Sequence, residues 1–180
     1  MIIWLNGPFG GGKTTAAEAL QPLIPNSRIF DPESVGYMLR ANFSDIPVDD
    51  FQDWPAWRPL VAAALAEVSR QTGAHLIAPQ SVLHSAYLTE IFARLHGHGL
   101  PTFHVLLDAD DATMRQRIRG NNRAEPWRLR RLETYARSRS WLHEAADLVI
   151  DTTRALPADV AREIAEGLKH MSGTCFERFS

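Results

Sequence analysis

A glycine-rich run that ends in a lysine and a threonine lies near the amino terminus, Gly7-Pro8-Phe9-Gly10-Gly11-Gly12-Lys13-Thr14. Glycines in the pattern G-x-x-x-x-G-K-[ST] allow consecutive backbone N–H groups to wrap closely around phosphate oxygens. The lysine ammonium then meets the β- and γ-phosphates, and the threonine hydroxyl is a ligand for Mg²⁺. The pattern therefore predicts a P-loop that binds ATP and Mg²⁺, with Thr14 at the metal. The residues predicted to contact the nucleotide are Gly7, Pro8, Phe9, Gly10, Gly11, Gly12, Lys13, Thr14 and Thr15.

The segments on either side of this run agree with a phosphate-binding loop. Residues 1–6 are an apolar run suited to a buried strand, and residues 14–23 are predicted to form a helix. The amino end of such a helix carries about half a positive elementary charge, which favours a bound phosphate. A chance glycine-rich turn would not need both flanks, so the flanks favour a nucleotide site.

Alternating strands and helices follow along the rest of the chain. Strands are predicted at residues 1–6, 27–30, 75–78, 102–107 and 148–150, and helices at 14–23, 32–41, 60–72, 86–96 and 158–170. Repeated βα units produce a parallel sheet with right-handed crossovers. We therefore expect an α/β fold of the three-layer P-loop NTPase type, with a five-stranded parallel sheet and helices on both faces. Ligands should lie at the carboxyl ends of the strands.

Composition limits the classes of protein to which the chain can belong. The 180 residues suit one domain over residues 1–180, and the net charge of −2 argues against an obligate nucleic-acid protein. The lone cysteine, Cys175, excludes an intramolecular disulfide and suits a reducing compartment. No stretch approaches the ~20 apolar residues of a membrane span. We expect a cytoplasmic protein without stable membrane anchoring.

A strongly basic segment separates the fourth and fifth predicted strands. Between residues 115 and 139 there are nine arginines and only two acidic residues, Glu125 and Glu133. Small-molecule kinases carry a lid over the phosphates at this point, and arginine gives bidentate contacts to phosphate oxygens. The segment is therefore predicted to be an arginine-rich lid. A general arginine bias remains an alternative, because the chain has seventeen arginines and two lysines.

Polar side chains after the second and third strands are candidates for the acceptor site. Asp31 can accept a hydroxyl proton during phosphoryl transfer, hold Mg²⁺ through water, or only cap the following helix. Gln80 can donate or accept a hydrogen bond with a substrate. The third strand ends without an acidic residue, which disfavours a hydrolysis-driven motor. Trp57 and Arg58 lie in the predicted acceptor region and could stack on a ring or meet an anion, although Trp57 could equally belong to the core.

Several short runs together resemble a known family. They are Met1 through Gly10, Asp31-Pro32-Glu33, and Asp50-Phe51-Gln52 followed by Pro55 and Trp57-Arg58. The chain in these runs is similar to the tunicamycin-resistance ATP-binding proteins. The resemblance implies a nucleotide-kinase-like fold and a role in resistance to tunicamycin, a lipid-linked nucleoside antibiotic. A more distant similarity to chloramphenicol phosphotransferases and to shikimate and gluconate kinases implies that Asp31 acts at the acceptor hydroxyl.

A similarity to adenylate-kinase-like enzymes implies roles for residues within the basic segment. In adenylate-kinase-like enzymes an arginine of an R-[IV]-x-G-R motif stacks on adenine, and Arg117-Ile118-Arg119-Gly120-Asn121 is similar. It implies that Arg117 and Arg119 contact the nucleotide. Asn121 stands where the motif has its second arginine, so transition-state charge would have to be met by another arginine, for which Arg123 is the candidate.

Two functional hypotheses follow from these observations. The leading one is Mg²⁺- and ATP-dependent phosphorylation of a small hydroxylated molecule, such as tunicamycin or another nucleoside-like compound, with Lys13, Asp31 and Arg123 as catalytic residues. Asp31, Trp57, Arg58 and Gln80 are then the predicted substrate-binding residues. The alternative is a protein that binds and sequesters the drug in an ATP-dependent manner without transferring phosphate. A nucleic-acid kinase that uses the arginine-rich segment is a third reading, and it predicts binding that weakens steeply with salt.

Overall fold

The computed structural model describes residues 1–119 and 125–176, with side chains described as far as Met171. Its strands are β1 (Ile2–Asn6), β2 (Ser27–Ile29), β3 (His75–Pro79), β4 (Thr102–Asp108) and β5 (Leu148–Asp151). Its α-helices are α1 (Lys13–Leu20), α2 (Glu33–Asn42), α3 (Trp57–Thr72), α4 (Ser85–Gly97), α5 (Asp111–Arg119), α6 (Glu125–Ala145) and α7 (Pro157–Phe176). Two short 3-10 helices cover Gln21–Leu23 and Phe51–Asp53.

The five strands form one parallel sheet in the order β2-β3-β1-β4-β5. The predicted α/β fold with a five-stranded parallel sheet is confirmed. Strand β1 lies in the centre, and the chain moves first to one side of it and later to the other. Ligands of open parallel sheets bind at such a switch point, outside the carboxyl ends of the strands. The loop after β1 therefore lies at the preferred position for a ligand.

Helices cover both faces of the sheet because side chains alternate along the central strand. Ile2 and Trp4 face a core built with α3 and α4, whereas Ile3 and Leu5 face a core built with α1 and α7. A third apolar cluster joins α5 and α6 to Leu106 of β4. All five of these side chains are fully buried, as expected for strands covered on both faces. Within the described residues, no helix is long and apolar enough to cross a bilayer.

Proline explains the largest difference at a helix start. Helix α3 begins at Trp57, three residues before the predicted start, and Pro59 lies in its first turn. A proline there costs no hydrogen bond, because the first N–H groups of a helix have no intrahelical partner. Gly73 ends the helix with a φ of 65°, as predicted for a left-handed C-terminal residue.

Asp108 ties the basic segment to the end of β4. Its buried carboxylate accepts hydrogen bonds from Tyr135 at 2.5 Å, from Arg139 Nε at 2.9 Å and from His143 Nε2 at 2.8 Å, all on α6. Burial alone would raise the pKa of Asp108, but these three donors together hold it below its usual value. One carboxylate thus binds three side chains of the long helix α6 to the end of β4.

Replacing Asp108 with asparagine is expected to lower the free energy of unfolding by about 2 kcal/mol. The NH₂ group of the asparagine would face α6 side chains that are themselves hydrogen-bond donors, so at least one buried hydrogen bond would be lost. Since the folded pKa lies below the unfolded value, the carboxylate stabilises the fold above the ordinary carboxyl pKa. That contribution is lost as the pH falls through the folded pKa. Urea unfolding at pH 7 and at acidic pH measures both effects.

Asp159→Asn is the control for this substitution, because Asp159 pairs with Arg162 on the exposed face of α7. The control is expected to change stability by less than about 0.5 kcal/mol. Equal effects of Asp108→Asn and Asp159→Asn would contradict the assigned role of Asp108.

Candidate active site

The loop after β1 adopts a conformation that requires glycine. Gly7, Gly10 and Gly12 have φ values of 139°, 81° and 85°, which side-chain-bearing residues rarely adopt. A Cβ atom at Gly7 would overlap the carbonyl oxygen of Leu107, and one at Gly10 would lie 2.8 Å from that of Met114. The backbone is therefore held close to β4 and α5, and Gly12 leads directly into α1.

Lys13 folds back over this loop. Its Nζ donates to the carbonyl oxygens of Gly7 at 3.0 Å and Pro8 at 2.8 Å. Burial lowers the pKa of the Lys13 ammonium to about 7, while Glu33 raises this pKa and Arg128 lowers it. An anion that binds beside such an amine raises the pKa of the amine again, because the negative charge stabilises the protonated form.

Binding of ATP is therefore expected to take up a proton at Lys13. At pH 8 a lysine of pKa about 7 is mostly neutral, and a nearby triphosphate raises its pKa again. Uptake should approach one proton at pH 8, and affinity should fall as the pH rises above 7. Calorimetry of ATP binding in buffers with different heats of ionisation measures the number of protons.

The control is the same titration at pH 6, where Lys13 is already charged and uptake should be close to zero. Heats that are independent of the buffer at both pH values would contradict a neutral Lys13 in the free protein.

A cavity of about 440 Å³ opens beside the glycine-rich loop. Its lining residues come from the loop, the start of α1, the ends of β2 and β3 with the residues that follow them, the start of α2 and the first turn of α6: Phe9, Gly10, Gly12, Lys13, Thr14, Thr15, Ile29, Asp31, Glu33, Pro79, Ser81 and Arg128. The structure thus brings Lys13, Thr14, Thr15 and Asp31 together, as their predicted roles require. Asp31 Oδ1 also accepts the Glu33 N–H at 2.9 Å, and the N-cap of α2 is Pro32 rather than Asp31. We call this space the phosphate cavity.

A second cavity of about 320 Å³ lies next to the first. It is lined by Phe9, Glu33, Tyr37, Arg40, Asp49, Asp50, Phe51, Gln52, Gln80, Trp127 and Arg128. We call it the acceptor cavity. Phe9, Glu33 and Arg128 line both cavities, so these three residues mark the border between them. Tyr37 donates to Glu33 Oε2 at 3.0 Å and fixes this carboxylate at the border.

Trp57 and Arg58 lie behind the wall of the acceptor cavity and do not line it. Trp57 is fully buried against Phe51, and its Nε1 donates to the Pro32 carbonyl at 3.3 Å. Arg58 pairs with Glu90 at 2.5 Å and donates to the Gln52 carbonyl at 2.7 Å. The substrate-binding role predicted for both is therefore replaced by a supporting one. Both residues lie in the first turn of α3, where their side chains are directed into the interior rather than into the cavity.

The arginines that were predicted to act at the nucleotide lie in different parts of the structure. Arg117 donates to the Gly10 carbonyl at 3.1 Å and to the Thr152 carbonyl at 2.8 Å, and so connects the glycine-rich loop with the turn after β5. Arg119 is exposed at the end of α5. Arg123 lies outside the described residues. Arg128, predicted only as one of nine arginines, lies at the border of the two cavities.

The first turn of α6 closes the acceptor cavity from the side of the basic segment. Trp127 packs edge-on against Phe9 with ring centroids 5.2 Å apart, and its Nε1 donates to Asp49 at 3.3 Å. One turn later, Arg131 pairs with the buried Asp50 at 2.9 Å. Sequence reasoning missed these contacts. The only signal for them is the spacing of Trp127 and Arg131, which places both on one face of a helix.

The ends of the central strands are connected by polar side chains beneath both cavities. Asn6 Oδ1 accepts the N–H groups of Gly7 at 2.8 Å and Val82 at 2.9 Å. Ser81 Oγ donates to the Gly7 carbonyl at 2.7 Å. The loop after β1 is thus fixed to the segment after β3, which carries Gln80 at the acceptor cavity.

A central parallel strand, a glycine-rich loop of this geometry and a helix that starts at Lys13 define a P-loop protein of the kinase-like α/β fold. Residues 2–145 match the model of the family described as AAA domain. The tunicamycin resistance protein of Deinococcus radiodurans is 30% identical, with 93% of this chain and 95% of that chain covered and a TM-score of 0.74. The chain therefore belongs to the AAA domain family and, within P-loop proteins, to the tunicamycin-resistance family.

Two more distant structures agree in fold. A gluconokinase from Sinorhizobium meliloti 1021 is 18% identical over 99% of this chain and 97% of that chain, with a TM-score of 0.70. A shikimate kinase from Acinetobacter baumannii is 19% identical over 94% of this chain and 93% of that chain, with a TM-score of 0.67. No sequence among the curated proteins gives a significant match.

Proposed function

We propose that this chain transfers the γ-phosphoryl group of ATP, with Mg²⁺, to a hydroxyl group of a small molecule, and that tunicamycin or a related nucleoside-like compound is the acceptor. The observation that carries the proposal is the pair of adjoining cavities. One is lined by the P-loop and the other by polar and aromatic side chains, and among the described residues Phe9, Glu33 and Arg128 line both. Two substrates in these cavities would meet at that border.

The phosphate cavity fits a nucleotide with its metal. The loop offers backbone N–H groups, Lys13 is a half-buried amine without a carboxylate hydrogen-bond partner among the described residues, and Thr14 and Asp31 place oxygen ligands on the same wall. Oxygen ligands of this kind suit Mg²⁺. Thr14 would hold the metal directly and Asp31 through water, and the metal would neutralise charge on the phosphates.

Glu33 and Arg128 lie where transfer would occur. The acceptor oxygen forms a bond to the γ-phosphorus, the bond from that phosphorus to the β,γ-bridging oxygen breaks, and ADP leaves. The hydroxyl proton passes to the Glu33 carboxylate, which borders both cavities, while Asp31 lines the phosphate cavity alone. The guanidinium of Arg128 can stabilise charge on the transferred group, and Arg123, which was predicted for this role, lies outside the described residues.

Incubation with ATP, Mg²⁺ and tunicamycin, followed by mass spectrometry, tests the proposal. The expected product is tunicamycin with one added phosphoryl group, formed together with ADP. A panel of nucleosides and sugars measured in the same way covers other acceptors. If no phosphorylated product forms from any member, phosphoryl transfer is overturned. Capture of unmodified tunicamycin only in the presence of ATP would instead establish the sequestering function.

A further inference from the structure

A buried ion pair joins the start of α6 to the wall of the acceptor cavity. Arg131 Nη2 lies 2.9 Å from Asp50 Oδ2, and the two side chains are 14% and 3% exposed. Asp50 Oδ1 accepts the Gln52 N–H at 3.0 Å, so the same carboxylate also holds its own loop. Arg131 is not among the described residues that line either cavity. Any role of Arg131 in the reaction would therefore act through other residues.

Two residues that line the acceptor cavity lie four and three positions before Arg131 on the same helix. They are Trp127 and Arg128, and residues at these spacings are neighbours on a helix surface. The guanidinium carbon of Arg131 lies 5.5 Å from the centre of the Trp127 ring. The Phe9 ring of the glycine-rich loop contacts Trp127 edge-on at 5.2 Å between centroids and Arg128 at 5.5 Å. The ion pair is thus linked, through one turn of helix, to the border of the two cavities.

The other polar contacts that hold α6 to the sheet lie further along the helix. Three side chains of its later turns bind Asp108 at the end of β4. At the start of α6, the described contacts with acidic side chains are the ion pair of Arg131 with Asp50 and the bond from Trp127 to the exposed Asp49 at 3.3 Å. Loss of the ion pair should therefore free the first turn of α6 and leave the remainder of the helix in place.

The geometry of the ion pair suits a positional role better than a stabilising one. Asp50 Oδ2 and Arg131 Nε are buried and make no aligned hydrogen bond among the described residues, although the two charged groups are in contact. Desolvation of two buried charges offsets much of their attraction when the hydrogen bonds around them are incomplete. What the contact does set is the distance between α6 and the loop that carries Asp50.

We propose that Asp50 and Arg131 form a positioning pair for phosphoryl transfer, which holds the first turn of α6 against the acceptor cavity. In this role the pair sets the distance of Arg128 from the transferred group and of Trp127 from the acceptor. A displacement of about 1 Å at such a group can lower a rate about a hundredfold. The inference rests on the proposed function, since it assigns the pair to that reaction.

Arg131→Gln tests the pair in the full chain. We expect the affinity for tunicamycin, measured by calorimetry with a non-hydrolysable ATP analogue present, to fall about tenfold, and the rate of transfer at saturating substrates to fall about tenfold to a hundredfold. Affinity for ADP should be unchanged, because Asn6 and Ser81 hold the glycine-rich loop independently of α6. Arg131→Lys keeps the charge and should recover most of both losses.

A double variant covers the case in which Arg131→Gln does not fold because a buried carboxylate is left unpaired. Asp50→Asn together with Arg131→Gln removes that charge. The losses of the double variant should be no larger than those of Arg131→Gln alone, as expected for two residues that act as one unit.

Fluorescence of Trp127 reports the position of α6 without any reaction. Three of the other four tryptophans are buried, and Trp141→Phe removes the fourth from every protein compared. Trp127 is half-buried, so acrylamide quenching then follows chiefly its exposure. Arg131→Gln should raise this quenching, and Arg131→Lys should raise it less.

Arg70→Gln is the matched control, because Arg70 forms an exposed ion pair with Glu67 on α3, and it should change none of these quantities. Unchanged tunicamycin affinity, rate and quenching in Arg131→Gln would overturn the inference. Equal losses of ADP and tunicamycin affinity in both the single and the double variant would also overturn it, because they would show a general structural role.

The two proposals fail in different ways. If the unmodified protein neither binds nor phosphorylates tunicamycin or any member of the acceptor panel, while quenching rises in Arg131→Gln, the proposed function fails and the position assigned to the pair stands. Transfer at full rate by Arg131→Gln would leave the proposed function standing and overturn the inference.

Discussion

Replacing Lys13 with methionine should reduce ATP turnover about a thousandfold. Lys13 supplies the P-loop's positive charge, and its Nζ lies 3.0 Å and 2.8 Å from two carbonyl oxygens of the loop. Methionine has nearly the same length without the charge, so the loop should keep its shape while the triphosphate loses its cation. Removing a charge that stabilises the transferred group typically costs about 10²–10³ in rate. ADP release with tunicamycin as acceptor measures turnover.

The chain contains a natural control for this substitution. Its only other lysine is Lys169, which is exposed on α7 and lines neither the phosphate nor the acceptor cavity. Lys169→Met should leave turnover unchanged. Equal turnover of Lys13→Met and the unmodified protein would show that the loop does not act on a triphosphate.

Replacing Glu33 with glutamine should lower the rate of transfer about a hundredfold to a thousandfold. Glu33 borders both cavities and is held by Tyr37 at 3.0 Å. Glutamine keeps the size of the side chain and cannot accept the proton, and a positioned base typically contributes about 10²–10⁴ in rate. Affinity for ATP is a separate quantity, because Glu33 also lines the phosphate cavity and raises the pKa of Lys13. Single-turnover measurements with saturating ATP and tunicamycin separate the two quantities.

Asp31→Asn distinguishes the two carboxylates. Asp31 lines the phosphate cavity only, so its substitution should raise the Mg²⁺ concentration needed for half-maximal rate, and Glu33→Gln should not. Glu18→Gln on the exposed side of α1 should leave both quantities unchanged. A Glu33→Gln variant with full rate, together with an Asp31→Asn variant that is inactive at every Mg²⁺ concentration, would assign the base to Asp31.

The parts of the site that are local in sequence could be predicted from the sequence. The glycine-rich loop follows β1 and leads to Lys13 and Thr14, Asp31 follows β2, and parallel strands bring their carboxyl ends to one edge. Gln80 was identified for the same reason. These residues line the two cavities as the strand ends require. Arg117 was predicted at the nucleotide, and its observed contact with Gly10 places it on the loop itself.

The acceptor side depends on contacts that sequence spacing does not encode. Trp127 and Asp49 are 78 residues apart and meet only after α6 has folded over the sheet. Trp57 and Arg58 carry suitable side chains, but whether an aromatic residue faces a cavity or the core depends on the rotation of its helix. Helix α3 turns them away, and they support Pro32 and Gln52 instead. Glu33 was overlooked because its position at the border follows from the direction of α2.

The two carbonyl oxygens under Lys13 each have a second donor. The Gly7 carbonyl also accepts from Ser81 Oγ at 2.7 Å, and the Pro8 carbonyl also accepts from the Gly11 N–H at 3.1 Å. When the ammonium swings toward an arriving nucleotide, neither oxygen is left without a partner. The lysine can therefore exchange its resting partners for phosphate oxygens while the backbone around it stays in place.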